Sequence, residues 1–274
     1  MCSYHGGKQR IGKQLAEVMV EKSLHISEDE GWTIKGYCEP FCGMLGVYHH
    51  IPELYEKAGF PKGPGLTPLI YNAGDANKSV IMMWEAAKNG WEPPTTMTEK
   101  RFDELKDGPD SVDSAEKGFV GHQYSFGGQY FKGYIAKYGK AESCPQSSER
   151  VKAISRKLSN VVFQHGCYTQ YSNLKGYVIY CDPPYGNREQ WYKTGCKGGF
   201  DSGKFFEWCR KMAEHNIVFV TEYEAPSYFE KIWTKTIKIT GRAVSQKFGN
   251  GAHTKRVEKL FLVRPGSGPP PHSS

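Results

Sequence analysis

The sequence predicts an α/β domain built on a largely parallel sheet with helices on both faces. Three observations carry this expectation. Strand-like and helix-like segments alternate along the chain. The apolar strand Tyr177–Cys181 runs straight into Asp182-Pro183-Pro184-Tyr185. Two β-type runs follow one another near the C-terminus without a helix between them, which adds an antiparallel ending. With 274 residues the chain has room for one large α/β domain, or for one domain carrying an insertion.

Residues Ile11, Leu15, Val18 and Met19 recur at helical spacing, so a helix is expected over 11–24, just after Gly6-Gly7. A strand over 34–41 follows, stopped by Gly43. A second strand at 69–71 leads to Asp75, and Asn77 is suited to start a helix running to about residue 89. Later come the strand Tyr177–Cys181, a helix over 204–214, the strand Ile217–Glu222, and two β runs at 236–240 and 257–263. Between 93 and 150 the pattern breaks. Residues 93–117 are acidic and polar and read as a loop with one short helix. Residues 118–140 hold seven aromatics, six glycines, three lysines and no acid. The expected organisation is therefore a discontinuous α/β domain, 1–92 and 151–264, an insert at 93–150, and a flexible tail at 265–274.

Hydrophobic residues make up 38% and charged residues 24%, which suits a packed core. No apolar run approaches the ~20 residues needed to span a membrane, and the N-terminus lacks the apolar centre of a signal peptide. A soluble protein, cytoplasmic or otherwise inside a host cell, is expected. None of the eight cysteines forms a CxxC pair, so free thiols in a reduced compartment are expected. His49-His50 and His165 lack metal-ligand spacing, and no metal is assigned. A net charge of +7 and a pI near 8.8 are compatible with nucleic acid without demanding it.

The segment 182–185 carries the sharpest chemical signal. In open α/β sheets ligands bind beyond the carboxyl ends of strands, where Asp182 and Tyr185 would project. Consecutive prolines fix the backbone and leave carbonyls without competing local donors. That suits an amine whose lone pair is delocalised into a ring, as in the N6 amine of adenine. The Asp182 carboxylate and the Pro183 carbonyl would accept its two hydrogens as charge builds during attack. Tyr185 would stack on a base swung out of its helix. The plain alternative is a strand-ending turn with a rigid Pro183-Pro184 corner.

Five segments, in a set order, resemble the motifs of the Dam or D12 class of DNA adenine methyltransferases, in the arrangement called the α group. They are Tyr4-His5-Gly6-Gly7-Lys8, Cys38-Glu39-Pro40-Phe41-Cys42-Gly43, Gly74-Asp75-Ala76-Asn77, Asp182-Pro183-Pro184-Tyr185, and the weaker pair Arg256 and Glu258. Residues 125–134 also resemble the insert of a phage-type, viral subgroup. The likeness spans most of 3–263. It implies a Rossmann-like class I methyltransferase sheet, S-adenosylmethionine as cofactor with S-adenosylhomocysteine as product, and adenine N6 in double-stranded DNA as the target. It also implies that 93–150 is a target-recognition insert, that a restriction endonuclease is a candidate counterpart, and that the protein is a monomer or a dimer.

The resemblance assigns cofactor binding to Tyr4, Gly6, Gly7, Lys8, Glu39, Pro40, Phe41, Gly43, Asp75, Tyr168 and Asp182, and catalysis to Asp182, Pro183, Pro184 and Tyr185. A glycine loop lets the backbone approach the methionine part of the cofactor, and Asp75 can accept both ribose hydroxyls. Lys8 would neutralise the methionine carboxylate, and Tyr4 would pack near the sulfonium. Taken singly, Asp75 reads equally as a helix cap and Lys8 as a solvated charge. Two departures stand out: Leu45 in Gly43-Met44-Leu45-Gly46 occupies the usual place of a second glycine, and Cys167-Tyr168 replaces an aspartate–aromatic pair. In the insert, Lys132, Lys137 and Lys140 would meet phosphates, while Gln123 or Gln129 would read adenine edges. The alternative is a small satellite core of Phe119, Phe126, Phe131 and Tyr134. The rival functions are cytosine-N4 transfer, for which serine more often stands at position 182, an RNA methyltransferase of the same fold, and an inactive DNA-binding homologue.

Overall fold

The alternation of apolar segments resolves into one mixed sheet. The computed structural model describes residues 7–61, 67–108, 114–138, 144–184, 200–239 and 254–264. Within these, β1 (Gly36–Glu39), β2 (Ile70–Asp75), β3 (Val161–His165), β4 (Tyr177–Cys181), β5 (Ile217–Glu222), β6 (Glu230–Ile239) and β7 (Thr254–Val263) pair in the order β3-β2-β1-β4-β5-β7-β6. Strands β1 to β5 are parallel, and β7 is antiparallel to both of its neighbours. This is the Rossmann-like class I methyltransferase sheet, with the antiparallel ending that the sequence predicts. The order reverses between β1 and β4, so the crevice of such a sheet lies beyond their carboxyl ends.

Local chemistry sets the element boundaries. Helix α1 (Gly12–Glu30) runs past the expected end at 24 and stops where Gly31 takes the left-handed conformation, φ 70°. Strand β1 ends at Glu39, short of the expected 41, because Pro40 has no N–H to continue a ladder. Helix α2 (Ile51–Lys57) and strand β3 were not foreseen. Helix α3 (Lys78–Lys88) starts as expected at Asn77, whose side chain accepts the Ser79 and Val80 N–H groups at 3.1 and 3.4 Å. Later come α4 (Glu99–Asp107), α5 (Ala115–Gln123), α6 (Pro145–Ser155) and α7 (Ser202–Met212). Two helices thus begin inside 93–117, against the expected loop with one short helix; the Thr98 and Ser114 side chains cap them.

Side chains alternate across the strands into two cores. Tyr37, Val178, Tyr180 and Phe219 face a large core with α1 and α3, while Cys38, Ile179, Cys181 and Val220 face a smaller one with α7. Phe119, Phe131 and Tyr134 belong to the large core together with Met83 and Trp84, so they form no satellite, and Phe126 lies partly exposed. Cover on the second face is incomplete, against expectation. The link from β3 to β4 holds only a 3-10 turn (Tyr168–Tyr171), and Ile70 and Val162 remain about half exposed. Cys38, Cys42, Cys144, Cys181 and Cys209 are free thiols, but Cys167 is disulfide-bonded, which departs from the expectation of free thiols throughout. Among the described residues no helix is long and apolar enough to cross a membrane.

Helix α5 lies on α3 with its backbone close. A Cβ on Gly118 would sit 2.1 Å from the Ser79 carbonyl oxygen, nearer than any real contact. Gly118→Ala is expected to lower stability by about 1–3 kcal/mol, read as the midpoint of urea unfolding. An unchanged midpoint would show that α5 is not pressed against α3.

Candidate active site

Four neighbouring parallel strands, β2, β1, β4 and β5, deliver an acid to the same edge of the sheet. Asp75, Glu39 and Glu222 are the last residues of β2, β1 and β5, and Asp182 directly follows β4. Lys8 reaches this row from the N-terminal segment. A Cβ on Gly12 would lie 1.9 Å from the Gly46 carbonyl oxygen, and one on Gly46 would lie 3.2 Å from the Lys8 carbonyl carbon. The segment before α1 therefore packs backbone to backbone on the loop after β1. From there Lys8, only 4% exposed, places its Nζ 2.6 Å from Asp182 Oδ1 and 3.7 Å from Glu258. Glu258 also pairs with Arg256. The Thr221 hydroxyl donates to Asp182 Oδ1 at 2.9 Å, and the Tyr180 hydroxyl lies 3.0 Å behind it.

The loop after β1 is tied to β2 through Asp75. Its carboxylate accepts the Gly43 N–H at 3.0 Å and the Asn77 N–H at 2.8 Å, and has lone pairs to spare. The Gly43 carbonyl accepts the Trp84 indole N–H at 2.8 Å. Leu45 adopts φ 51°, the left-handed conformation that glycine would supply, with its side chain buried. Gly46 meets the N-terminal segment. Beside Asp75, the Tyr171 hydroxyl is buried with no hydrogen-bond partner among the described residues, 2.4 Å from where a Cβ on Gly74 would stand.

Other expected residues fall in varied places. Glu39, Pro40 and Pro183 are buried, while Gly7, Phe41 and Pro184 are half-buried. Tyr168 is buried in the smaller core, its ring 5.1 Å from Trp208, 5.4 Å from Phe205 and 5.6 Å from Phe41, not presented on the surface. Gln123 is 2% exposed at the end of α5, which corrects its expected place on a base-reading surface. Gln129 is half-buried. Lys132 and Lys137 are exposed, the latter paired with Glu99. Tyr4, Gly6, Lys140 and Tyr185 lie outside the described residues. Thr221, Glu222, Tyr180 and Tyr171 were missed. A signal existed for Glu222, because the rule that selects the end of β4 also selects the end of β5.

Burial pushes the Glu39 carboxyl up to about 8, partly offset by the Tyr37 hydroxyl at 2.7 Å and reinforced by the charge of Asp182. Glu222 is pushed up to about 7 by burial, against the hydrogen bond from the Tyr223 N–H at 2.8 Å. Burial also raises Asp75, opposed by the Asn77 and Gly43 N–H groups. Among the described residues, the edge carries more carboxyl groups than the cations paired with them, Lys8 and Arg256. Such a site favours a ligand that brings positive charge, or a reaction centre that becomes positive.

No protein-family model matches the chain, and no curated protein matches it. Among solved structures, the chain is similar to the rRNA methyltransferase AviRa from Streptomyces viridochromogenes at 13% identity, with 92% of this chain and 84% of that one covered and a TM-score of 0.38. It is also similar to TrmN from Thermus thermophilus at 11% identity, over 92% of this chain and 48% of that one, with a TM-score of 0.36. At these values the functional reading rests on the site's own residues.

Glu39 and Glu222 both stand above the ordinary glutamate value of 4.5 in the folded state. The folded protein therefore holds these protons more tightly than the unfolded chain. Their contribution to stability is complete below about pH 4.5 and is lost as pH rises through about 7 and 8. Thermal melts of Glu39→Gln across that window are expected to show a flatter decline than the unsubstituted protein. Parallel curves would place the Glu39 carboxyl in an ordinary, solvated setting.

Proposed function

We propose that this chain is an S-adenosylmethionine-dependent methyltransferase acting on the N6 amine of adenine in DNA. The observation that carries the proposal is the setting of Asp182-Pro183-Pro184 beyond the carboxyl end of β4, with Lys8 and Thr221 both meeting Oδ1 of Asp182. Among the described residues no donor meets Oδ2, which leaves one carboxylate oxygen for a substrate hydrogen. The Pro183 carbonyl would take the second hydrogen of the amine. Both contacts draw the nitrogen lone pair out of conjugation and strengthen as charge develops on nitrogen. The proton is released after transfer, when the alkylated nitrogen is acidic, so no strong base is required. Tyr185 is assigned to stack on the flipped base.

The residues fit the cofactor. Asp75 has unused lone pairs, and the partnerless Tyr171 hydroxyl beside it suits a ribose that brings its own donors and acceptors. The surplus of carboxyl groups at the sheet edge suits a sulfonium. When bound, S-adenosylmethionine supplies an electrophilic methyl group. The loop after β1 and Asp75 would hold it, and Lys8, already engaged with Asp182, would serve the catalytic carboxylate as well as any anionic end of the ligand. For the nucleic acid, Lys132 and Lys137 are exposed, the latter paired with Glu99, and in this reading they would meet phosphates. The same reading leaves a restriction endonuclease counterpart and a monomeric or dimeric state as expectations from the resemblance.

Protein incubated with S-adenosylmethionine and duplex DNA is expected to yield N6-methyldeoxyadenosine in nucleoside digests read by mass spectrometry. Asp182→Ala should lower kcat by about a hundredfold or more while cofactor binding by calorimetry persists. N4-methyldeoxycytidine, or methylated nucleosides from RNA alone, would replace adenine in DNA as the target. Cofactor binding without any transfer would favour an inactive DNA-binding homologue.

A further inference from the structure

The buried polar chain behind Asp182 has a function of its own. Pairing of Cys181 with Val220 in the parallel β4–β5 ladder brings Thr221 beside Asp182. Tyr180, two residues before Asp182, points to the same face, and its hydroxyl lies 3.0 Å from Thr221 Oγ1. A threonine hydroxyl has one hydrogen. Donating it to Asp182 Oδ1 at 2.9 Å leaves its oxygen to accept from Tyr180. The relay thus leaves β4, crosses to β5 and returns to the residue after β4. Lys8 holds the same oxygen, but an ammonium with three rotatable donors sets charge more than orientation. A β-branched side chain on a strand is stiff at χ1 and fixes a direction.

We infer that Thr221, supported by Tyr180, is a positioning residue that fixes the rotation of the Asp182 carboxylate, committing Oδ1 to the protein and Oδ2 to the substrate amine. The inference deepens the proposed function and rests on it. Without the hydroxyl, the carboxylate can turn about its bond to Cβ while remaining paired to Lys8. A misplacement of about 1 Å at a reacting group costs roughly a hundredfold in rate. The other charged or titratable groups around Asp182 are Glu39 on β1, Glu222 on β5, and Arg256 and Glu258 on β7. None of them is altered by a change at Thr221.

The test compares Thr221→Val, which keeps the shape and removes the hydroxyl, with Thr221→Ser, which keeps the hydroxyl. Thr221→Val is expected to lose about ten- to a hundredfold in kcat with little change in the KM for cofactor or DNA. Thr221→Ser should restore kcat. In the protein without ligands, NMR should show a slowly exchanging Thr221 hydroxyl proton that is lost in Asp182→Ala. A Thr221→Val variant with unaltered kcat, or a Thr221→Ser variant as impaired as valine, would overturn the inference alone. An active-site reading that is itself wrong would appear differently, as unsubstituted protein that methylates no nucleobase, and the hydroxyl resonance would still report whether the contact to Asp182 exists.

Discussion

Taking a carboxylate out of water costs several kcal/mol unless a cation or strong donors meet it. Among the described residues, the carboxyl edge of this sheet sets Asp182, Glu222 and Glu258 around the buried ammonium of Lys8, with Glu39 facing Asp182. The solution is collective: Lys8 meets Asp182 and Glu258, Arg256 shares Glu258, and Glu39 keeps its proton near neutral pH. Removal of one partner of such a pair typically costs about 3–5 kcal/mol, because the other charge is left uncompensated. The N-terminal segment is therefore bound to the carboxyl edge of the sheet across 174 positions of sequence. The glycine contact between Gly12 and Gly46 serves the same end, since it sets the height at which the Lys8 backbone crosses the loop after β1.

How much of this was legible in the sequence depends on the range of the interactions. The strands β4 and β5 and the start of α3 at Asn77 follow from local pattern and local capping, and all were visible. Of the two helices that begin within 93–117 only one was expected, because α4 is polar and buries only Phe102 and Leu105. Strand β3 was missed for a related reason: Val162 faces outward, so the run lacks the look of a buried strand. At the site, Asp75 and Asp182 were legible because a strand end in a parallel sheet is a place of known chemistry. Thr221 was not, since a threonine near the end of a strand first reads as a good strand former. Its meaning comes from the register of β4 against β5, which neither segment encodes alone. Tyr168 was expected at the cofactor, yet its aromatic ring serves the smaller core.

Among the described residues, segment 93–150 reaches the carboxyl edge of the sheet by way of α3. Helix α3 begins at Asn77, whose backbone N–H is held by Asp75, and α5 rests on α3 at Gly118 against Ser79. A shift of α5 along α3 would thus be felt within one turn of Asp75. The aromatic residues Phe119, Phe131 and Tyr134 share the large core with Trp84, whose indole also reaches the loop after β1. Segment 93–150 and the loop after β1 are mechanically continuous in this arrangement.

Leu45 shows what such continuity demands of a loop. An L-residue in the left-handed conformation costs about 1–2 kcal/mol, and burying a leucine side chain returns about 1.5–3 kcal/mol. Position 45 therefore keeps a glycine-like backbone while its side chain fills the core. The turn is shaped from inside the molecule instead of by the freedom of the residue that makes it. A pattern search keyed to paired glycines would pass over this loop, although Leu45 holds the left-handed conformation that a glycine there would supply.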